Sequence, residues 1–383
     1  MDASDAVEPF EVEVADSEVA DLRRRLADAR WPDQLPGAGW AYGTDRDYLQ
    51  ELCGYWRESF DWTAFEARCN AFDQYRTEVD GQSLHFYHVR SPEPDATPLL
   101  LSHGWPGSVA EFLDVLGPLS DPAAHGGDPG DAFHVVAPSL PGYGFSGPTT
   151  EQGVDVPAIA DAFAALMDQL GYDSYVAQGG DWGAMVTARL GADYPDRVDA
   201  IHLNMLPAAP PDVEDPTAML DAAERADLAA TKEFRETETA YFEMQATKPQ
   251  TAAYGLTDSP VGLAGWIVEK FHGWSSAVDS PEERFDRDRL LDNLSIYWLT
   301  GTINASMRLY YETDRRAALP DAVPVPTGHA RYPAEISRTP RTWAEEVYDL
   351  VYWVEMPEGG HFAAMEVPEL FVEDVRTFFG EVR

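Results

Sequence analysis

Gly179-Gly180-Asp181-Trp182-Gly183 follows the apolar run Tyr175-Val176-Ala177 without a break, and this junction constrains the fold more than any other stretch of the chain. An apolar strand that turns straight into a helix through small-x-acid-x-small has the pattern of a nucleophile elbow. The small residues are required because the turn leaves no room for a Cβ on either side of a strained central residue. Serine is usual at the centre; here it is Asp181.

The surrounding pattern agrees with an α/β sheet. Gln82 to Val89 alternates and is rich in β-formers, whereas Pro98 to Ser102 and Phe133 to Ala137 are short and apolar throughout. Fully apolar short strands between helical stretches indicate a parallel sheet covered on both faces. Helices are expected from about Pro157 to Leu170 and from the elbow through Met185 to Leu190, then a strand from Val198 to Leu203. Residues 207 to 318 break the alternation; they are helical in pattern and rich in aromatics. After them come an expected strand Val323 to Thr327, a helix Arg341 to Val347, a strand Leu350 to Met356 and a closing helix Glu369 to Phe379. An insertion between two strands of such a sheet is where a lid would sit. The division expected is a core of 76–206 and 319–383, a lid of 207–318, and an N-terminal extension, 1–75, packing on the core.

That extension reads as helical after a strand-like start at Phe10 to Val14. Ser17 can cap a helix that places Val19, Leu22 and Leu26 on one face, and Trp31-Pro32 ends it. A second helix can start at Thr44, with Asp47 at the capping-box spacing, and bury Tyr48, Leu52, Tyr55 and Trp56.

Composition restricts partners and surroundings. Acidic residues number 67 against 27 basic ones, a formal charge of −40 over 383 residues, and only Lys232, Lys248 and Lys270 are lysines. The acids run from end to end, so they do not form an interaction tail. Such a surface repels nucleic acid and anionic membranes. It suits concentrated cytoplasmic salt, in which the Debye length shrinks to ~3 Å and self-repulsion is screened. Cys53 and Cys69 cannot build a disulfide framework in a chain of this length and are expected to be buried free thiols. The start Met-Asp-Ala-Ser-Asp lacks a basic region followed by an apolar one, and no window approaches ~18 apolar residues, so a soluble cytoplasmic protein is expected.

A carboxylate at the elbow can displace a leaving group at a saturated carbon and become an ester, which water then hydrolyses at the carboxylate's own carbonyl carbon. That chemistry suits epoxide opening or dehalogenation. Release of the ester needs a base, and His361, in Glu358-Gly359-Gly360-His361-Phe362 after the last strand, is expected to be near neutral at pH 7 and to activate water. Glu335 is the preferred acid to orient it, ahead of Glu355 and Glu358, and the order nucleophile, acid, histidine matches hydrolase triads. His103-Gly104-Trp105-Pro106-Gly107 follows the strand Leu99 to Leu101, so the N–H groups of Trp105 and Trp182 can hold an oxyanion. An opened epoxide leaves an alkoxide, which a neutral phenol can stabilise; Tyr241 and Tyr310 are the candidates.

The whole pattern resembles the epoxide hydrolase family of the microsomal and juvenile-hormone type. The resemblance rests on HGWPGS at 103–108, PSLPGYGFS at 138–146, QGGDWGA at 178–184, TKPQT at 247–251, GLTDSPVGLAGWIVEKF at 255–271 and GGHFAAMEVPEL at 359–370, and extends to Trp31-Pro32. It implies an α/β-hydrolase fold with Asp181 as nucleophile, His361 as base and Glu335 as its acid. Tyr241 and Tyr310 would polarise the epoxide oxygen, with Tyr311 adjacent to the latter. The expected substrates are water and a small hydrophobic epoxide, with no metal or organic cofactor, in detoxification or catabolism. A haloalkane-type dehalogenase uses the same aspartate and histidine and is the alternative enzyme; a non-catalytic ligand-binding protein on this fold is the third reading.

Overall fold

The computed structural model describes residues 6–313 and 319–382. The N-terminal pentapeptide and the expected end of the lid at 318 lie outside the described residues. Nine strands among those described form one sheet. They are β1 (Glu8–Pro9), β2 (Gln74–Val79), β3 (Gln82–Val89), β4 (Thr97–Ser102), β5 (Phe133–Pro138), β6 (Tyr175–Gly179), β7 (Val198–Leu203), β8 (Val323–Arg331) and β9 (Tyr348–Glu355). Their spatial order is β1-β2-β3-β5-β4-β6-β7-β8-β9. β1, β2, β3 and β5 pair antiparallel, and every later pairing is parallel. Leu99–Leu101, Val135–Ala137 and Tyr175–Ala177 are buried, which is why they show no alternation. Helices cover both faces of these central strands, leaving no side to be polar.

The helices used below are α1 (Asp16–Ala27), α2 (Arg46–Glu58), α3 (Trp62–Cys69), α4 (Leu113–Ser120), α5 (Val156–Gln169), α6 (Asp181–Asp193), α7 (Ala222–Thr237), α8 (Ala240–Thr247), α9 (Pro249–Asp258), α10 (Pro260–Gly273), α11 (Arg287–Thr300) and α12 (Ile303–Glu312). Helices α7 to α12 all lie between β7 and β8, as one helical insertion.

Local details of the extension differ from the sequence expectation. The first strand is Glu8–Pro9, because beyond Phe10 the backbone donors find side chains: Val12 N–H donates to Asn70 and Val14 N–H to Glu66. Ser17 lies inside α1, whose cap is Ala15, and the Glu18 carboxylate accepts the Ala15 N–H at 3.1 Å. α2 is capped by Asp45, which accepts the Tyr48 N–H at 2.9 Å, while the Thr44 hydroxyl donates to the Gly265 carbonyl at 2.6 Å. Its buried face is Leu49, Leu52, Cys53 and Trp56, leaving Tyr48 and Tyr55 half-buried at the edge. Positions three, four and seven before Trp56 share its face, which fixes that phase. Cys53 and Cys69 are both free and buried.

The extension grips the insertion as well as the core. The Trp56 indole N–H donates to the Ser295 hydroxyl at 3.1 Å, and Arg68 at the end of α3 holds the fully buried Asp292 of α11 through two N–H groups. Removing Arg68 would leave the buried Asp292 carboxylate without this partner.

Candidate functional site

Asp181 opens α6 directly after β6 and has φ of +50°. A non-glycine residue in the left-handed region is strained, and the surrounding packing must hold it there. Two glycines make the close approach possible. A Cβ on Gly183 would lie 1.9 Å from the Ser102 carbonyl oxygen at the end of β4, and one on Gly104 would lie 2.2 Å from Asp181 Oδ1. Neither position admits any side chain.

The two carboxylate oxygens of Asp181 have different surroundings. Oδ1 accepts the Trp105 backbone N–H at 2.8 Å, while Oδ2 lies 3.2 Å from His361 Nε2. Of the two expected oxyanion donors, Trp105 alone hydrogen-bonds the carboxylate among the described residues. The Trp182 N–H lies in the first turn of α6, where backbone donors have no intrahelical acceptor, and is available to an oxygen at the elbow.

His361 is placed by its loop rather than by a helix or strand. Its N–H donates to the Trp274 carbonyl at 3.0 Å, and a single parallel bridge joins Gly360 to Ala334. That bridge also delivers Glu335, whose carboxylate oxygens lie 3.0 and 3.1 Å from His361 Nδ1. Glu355 instead pairs with Arg331 and Glu358 with Arg284, both at the surface. Burial by itself would lower the His361 imidazolium, but Glu335 and Asp181 outweigh it and hold the group well above its ordinary range. The resting site therefore favours the protonated ring more than the near-neutral imidazole expected from the sequence.

The insertion brings two phenols over the elbow. Tyr241 of α8 stacks on Trp105 at 5.3 Å and 6°, and Tyr310 of α12 meets Trp182 edge-on at 4.7 Å and Trp105 at 5.8 Å. The two phenol rings are 6.1 Å apart, and Phe242 and Trp274 complete the aromatic wall. Burial raises the Tyr310 phenol well above its ordinary range, with Tyr241 and Asp181 adding to it. It is neutral and able to donate at any working pH. Tyr311, its neighbour in sequence, is 57% exposed.

Two acids beside the site, half-buried Glu111 and buried Glu366, escaped the sequence reading. Glu111, in the short turn after HGWPGS, lines a cavity of about 20 Å³ together with Ser102, Gln178, Asp181, Asn204 and His361. That volume has room for one water. Burial pushes the Glu111 carboxyl up to about 8, with Asp181 adding to the rise and His361 opposing it. The only signal in the sequence is Gly107, whose missing Cβ leaves the space that Glu111 Oε1 occupies. Glu366 accepts the Phe362 N–H at 3.0 Å and braces the histidine loop, and burial raises its carboxyl to about 7.

Among the described residues no group of three or more His, Cys, Asp or Glu is arranged to hold a metal ion, and no helix is long and apolar enough to cross a membrane.

Residues 7–112 match the family model described as epoxide hydrolase N terminus, and 97–254 match that of the alpha/beta hydrolase fold. A protein of Stigmatella aurantiaca (strain DW4/3-1) is 45% identical over 98% of this chain and 86% of its own length. Epoxide hydrolase 1 of Sus scrofa is 36% identical over 98% of this chain and 89% of its own. The crystal structure of juvenile hormone epoxide hydrolase from the silkworm Bombyx mori superposes with a TM-score of 0.91 at 32% identity, covering 99% of this chain and 95% of that one.

Proposed function

The chain belongs to the epoxide hydrolase family, and on that premise we propose that it adds water to an epoxide through an ester on Asp181, releasing a vicinal diol. The observation that carries this reading is the division of labour between the two Asp181 oxygens. Oδ1 is held by the Trp105 N–H, so Oδ2 is the oxygen left to attack carbon. Attack forms the Oδ2–carbon bond and breaks the carbon–oxygen bond of the ring. Tyr241 and Tyr310 hydrogen-bond the departing oxygen, and the proton it finally takes comes from the His361 imidazolium.

Esterification removes the negative charge of Asp181. One of the two anions that hold His361 protonated is then gone, and the imidazole becomes a base when the ester exists to be hydrolysed. His361, oriented by Glu335, takes a proton from water as it attacks the Asp181 carbonyl carbon. The N–H groups of Trp105 and Trp182 stabilise the oxyanion on Oδ1. Collapse of this intermediate returns the carboxylate, the diol and the imidazolium, so protons balance over one cycle. The aromatic wall of Tyr241, Phe242, Trp274 and Tyr310 favours a small hydrophobic epoxide.

A dehalogenase would hold a halide with indole N–H groups, and the Trp105 indole N–H is buried with no hydrogen-bond partner. Two buried phenols over the elbow favour an oxygen leaving group instead. A single turnover in heavy-oxygen water tests the mechanism. Label in the Asp181 carboxylate is expected; label confined to the diol would mean that water attacks the epoxide directly.

A further inference from the structure

One of the three lysines in the chain is buried inside the insertion. Lys270, near the end of α10, has a side chain only 6% exposed, whereas Lys232 and Lys248 lie at the surface. Its ammonium stands 4.4 Å from the centroid of the Tyr241 ring and 5.7 Å from that of Trp274. Its ion-pair partner is the adjacent Glu269, whose side chain is 24% exposed. Burying an ammonium costs hydration that a methionine of similar length would not lose. Among the described residues no other lysine or arginine is buried, so this position has a specific demand for charge.

Tyr241 supplies that demand. As an epoxide oxygen departs, a phenol that hydrogen-bonds it acquires phenolate character, and a cation over the ring stabilises that charge more than it stabilises the neutral phenol. Shielding by Trp105 and Trp274, both in ring contact with Tyr241, keeps water from screening the effect. Glu269, whose side chain is the more exposed of the pair, offsets part of the field, and Tyr310 is a further titratable group beside the ring. We infer that Lys270 is a positioning residue that makes Tyr241 the stronger oxygen-polarising donor by placing its ammonium over the phenol ring. This rests on the reading of Tyr241 as a group that assists epoxide opening.

The test separates the two chemical steps. Single-turnover ester formation and ester hydrolysis are measured for the wild type, Lys270→Met and Lys270→Arg, with an alkyl epoxide and a trifluoromethyl-substituted one. Lys270→Met is expected to slow ester formation by about 5- to 30-fold, leave hydrolysis within about twofold, and affect the fluorinated epoxide less, because its alkoxide needs less help. Lys270→Arg should recover most of the rate. Ester formation within about twofold of the wild type, or equal losses in both steps and both substrates, would overturn the inference in favour of a purely structural lysine. A second readout needs no turnover. The ring-carbon resonance of Tyr241, identified by its loss in Tyr241→Phe, should titrate at higher pH in Lys270→Met and at lower pH in Glu269→Gln. An unmoved titration in the folded Glu269→Gln protein would sink the electrostatic link even if Lys270→Met fails to fold. Absence of any ester in the wild type would count against the epoxide reading alone, leaving the titration to decide the role of Lys270.

Discussion

His361 Nε2 lies 3.2 Å from Oδ2 of Asp181, on the carboxylate oxygen that the Trp105 N–H leaves free. In the proposed mechanism the base of the second step thus sits on the nucleophile of the first, and the Asp181 charge helps to hold the His361 imidazolium up. A pair arranged in this way switches roles without any movement of the backbone. On that reading the loss of the Asp181 charge on esterification lowers the hold on the His361 proton.

Glu335→Gln removes the other anion from His361. Ester hydrolysis is expected to slow by roughly 100-fold or more, the lower end of what a general base supplies. Stability should change as well. The folded His361 pKa is raised, so its contribution is fully present below the ordinary histidine value of ~6.5 and is lost as pH rises through the folded value. The gap in Tm between wild type and variant should be widest in mild acid and narrow above neutrality. A gap that widens with pH would contradict an imidazolium held by two carboxylates.

Tyr310→Phe is expected to slow ester formation by about 100-fold, the scale of losing one donor to a developing oxyanion. Tyr311→Phe should leave it unchanged, because that ring is 57% exposed. Stopped-flow quenching of Trp105 and Trp182 fluorescence would follow the step. Equal effects at the two positions would mean that the buried phenol does not touch the departing oxygen.

Glu111→Gln tests the neutral acid in the cavity. Burial raises this carboxyl to about 8, so the stability associated with its neutral form is complete below about 4.5 and lost as pH rises through about 8. The variant cannot ionise there. Its Tm relative to wild type should climb between pH 5 and pH 9, values chosen to bracket that window. A constant difference would place the carboxylate in contact with solvent at all these pH values.

The net charge of −40 predicts a response to salt. Raising potassium chloride from about 0.1 to 1 M shortens the Debye length from ~10 to ~3 Å and screens the repulsion among surface carboxylates. Tm should rise steadily over that range if the chain is adapted to concentrated salt. An unchanged Tm would assign the acidity to some other cause.

Features written within a few consecutive residues were legible from the sequence alone. The elbow at Asp181, the turn carrying Trp105 and the loop carrying His361 each announce themselves, because strained turns need glycine at fixed places and apolar strands lead into them. The same locality gave the doubly covered parallel sheet and the helical insertion. What depended on distant segments had to wait for the tertiary structure. The sequence prefers Glu335 to Glu355 and Glu358 and names Tyr310 ahead of Tyr311. The contact of Glu335 with His361, however, is made by the bridge between Ala334 and Gly360, and that of Tyr310 with Trp182 by the face of α12 that is buried. Helix starts at Ala15 and Asp45 moved because one or two hydrogen bonds decide a cap, and Thr44 found its acceptor in α10 instead. Glu111 left only Gly107 as a local signal, and Lys270 left none. Their meaning lies in what burial does to a charge, and burial is a property of the packed chain.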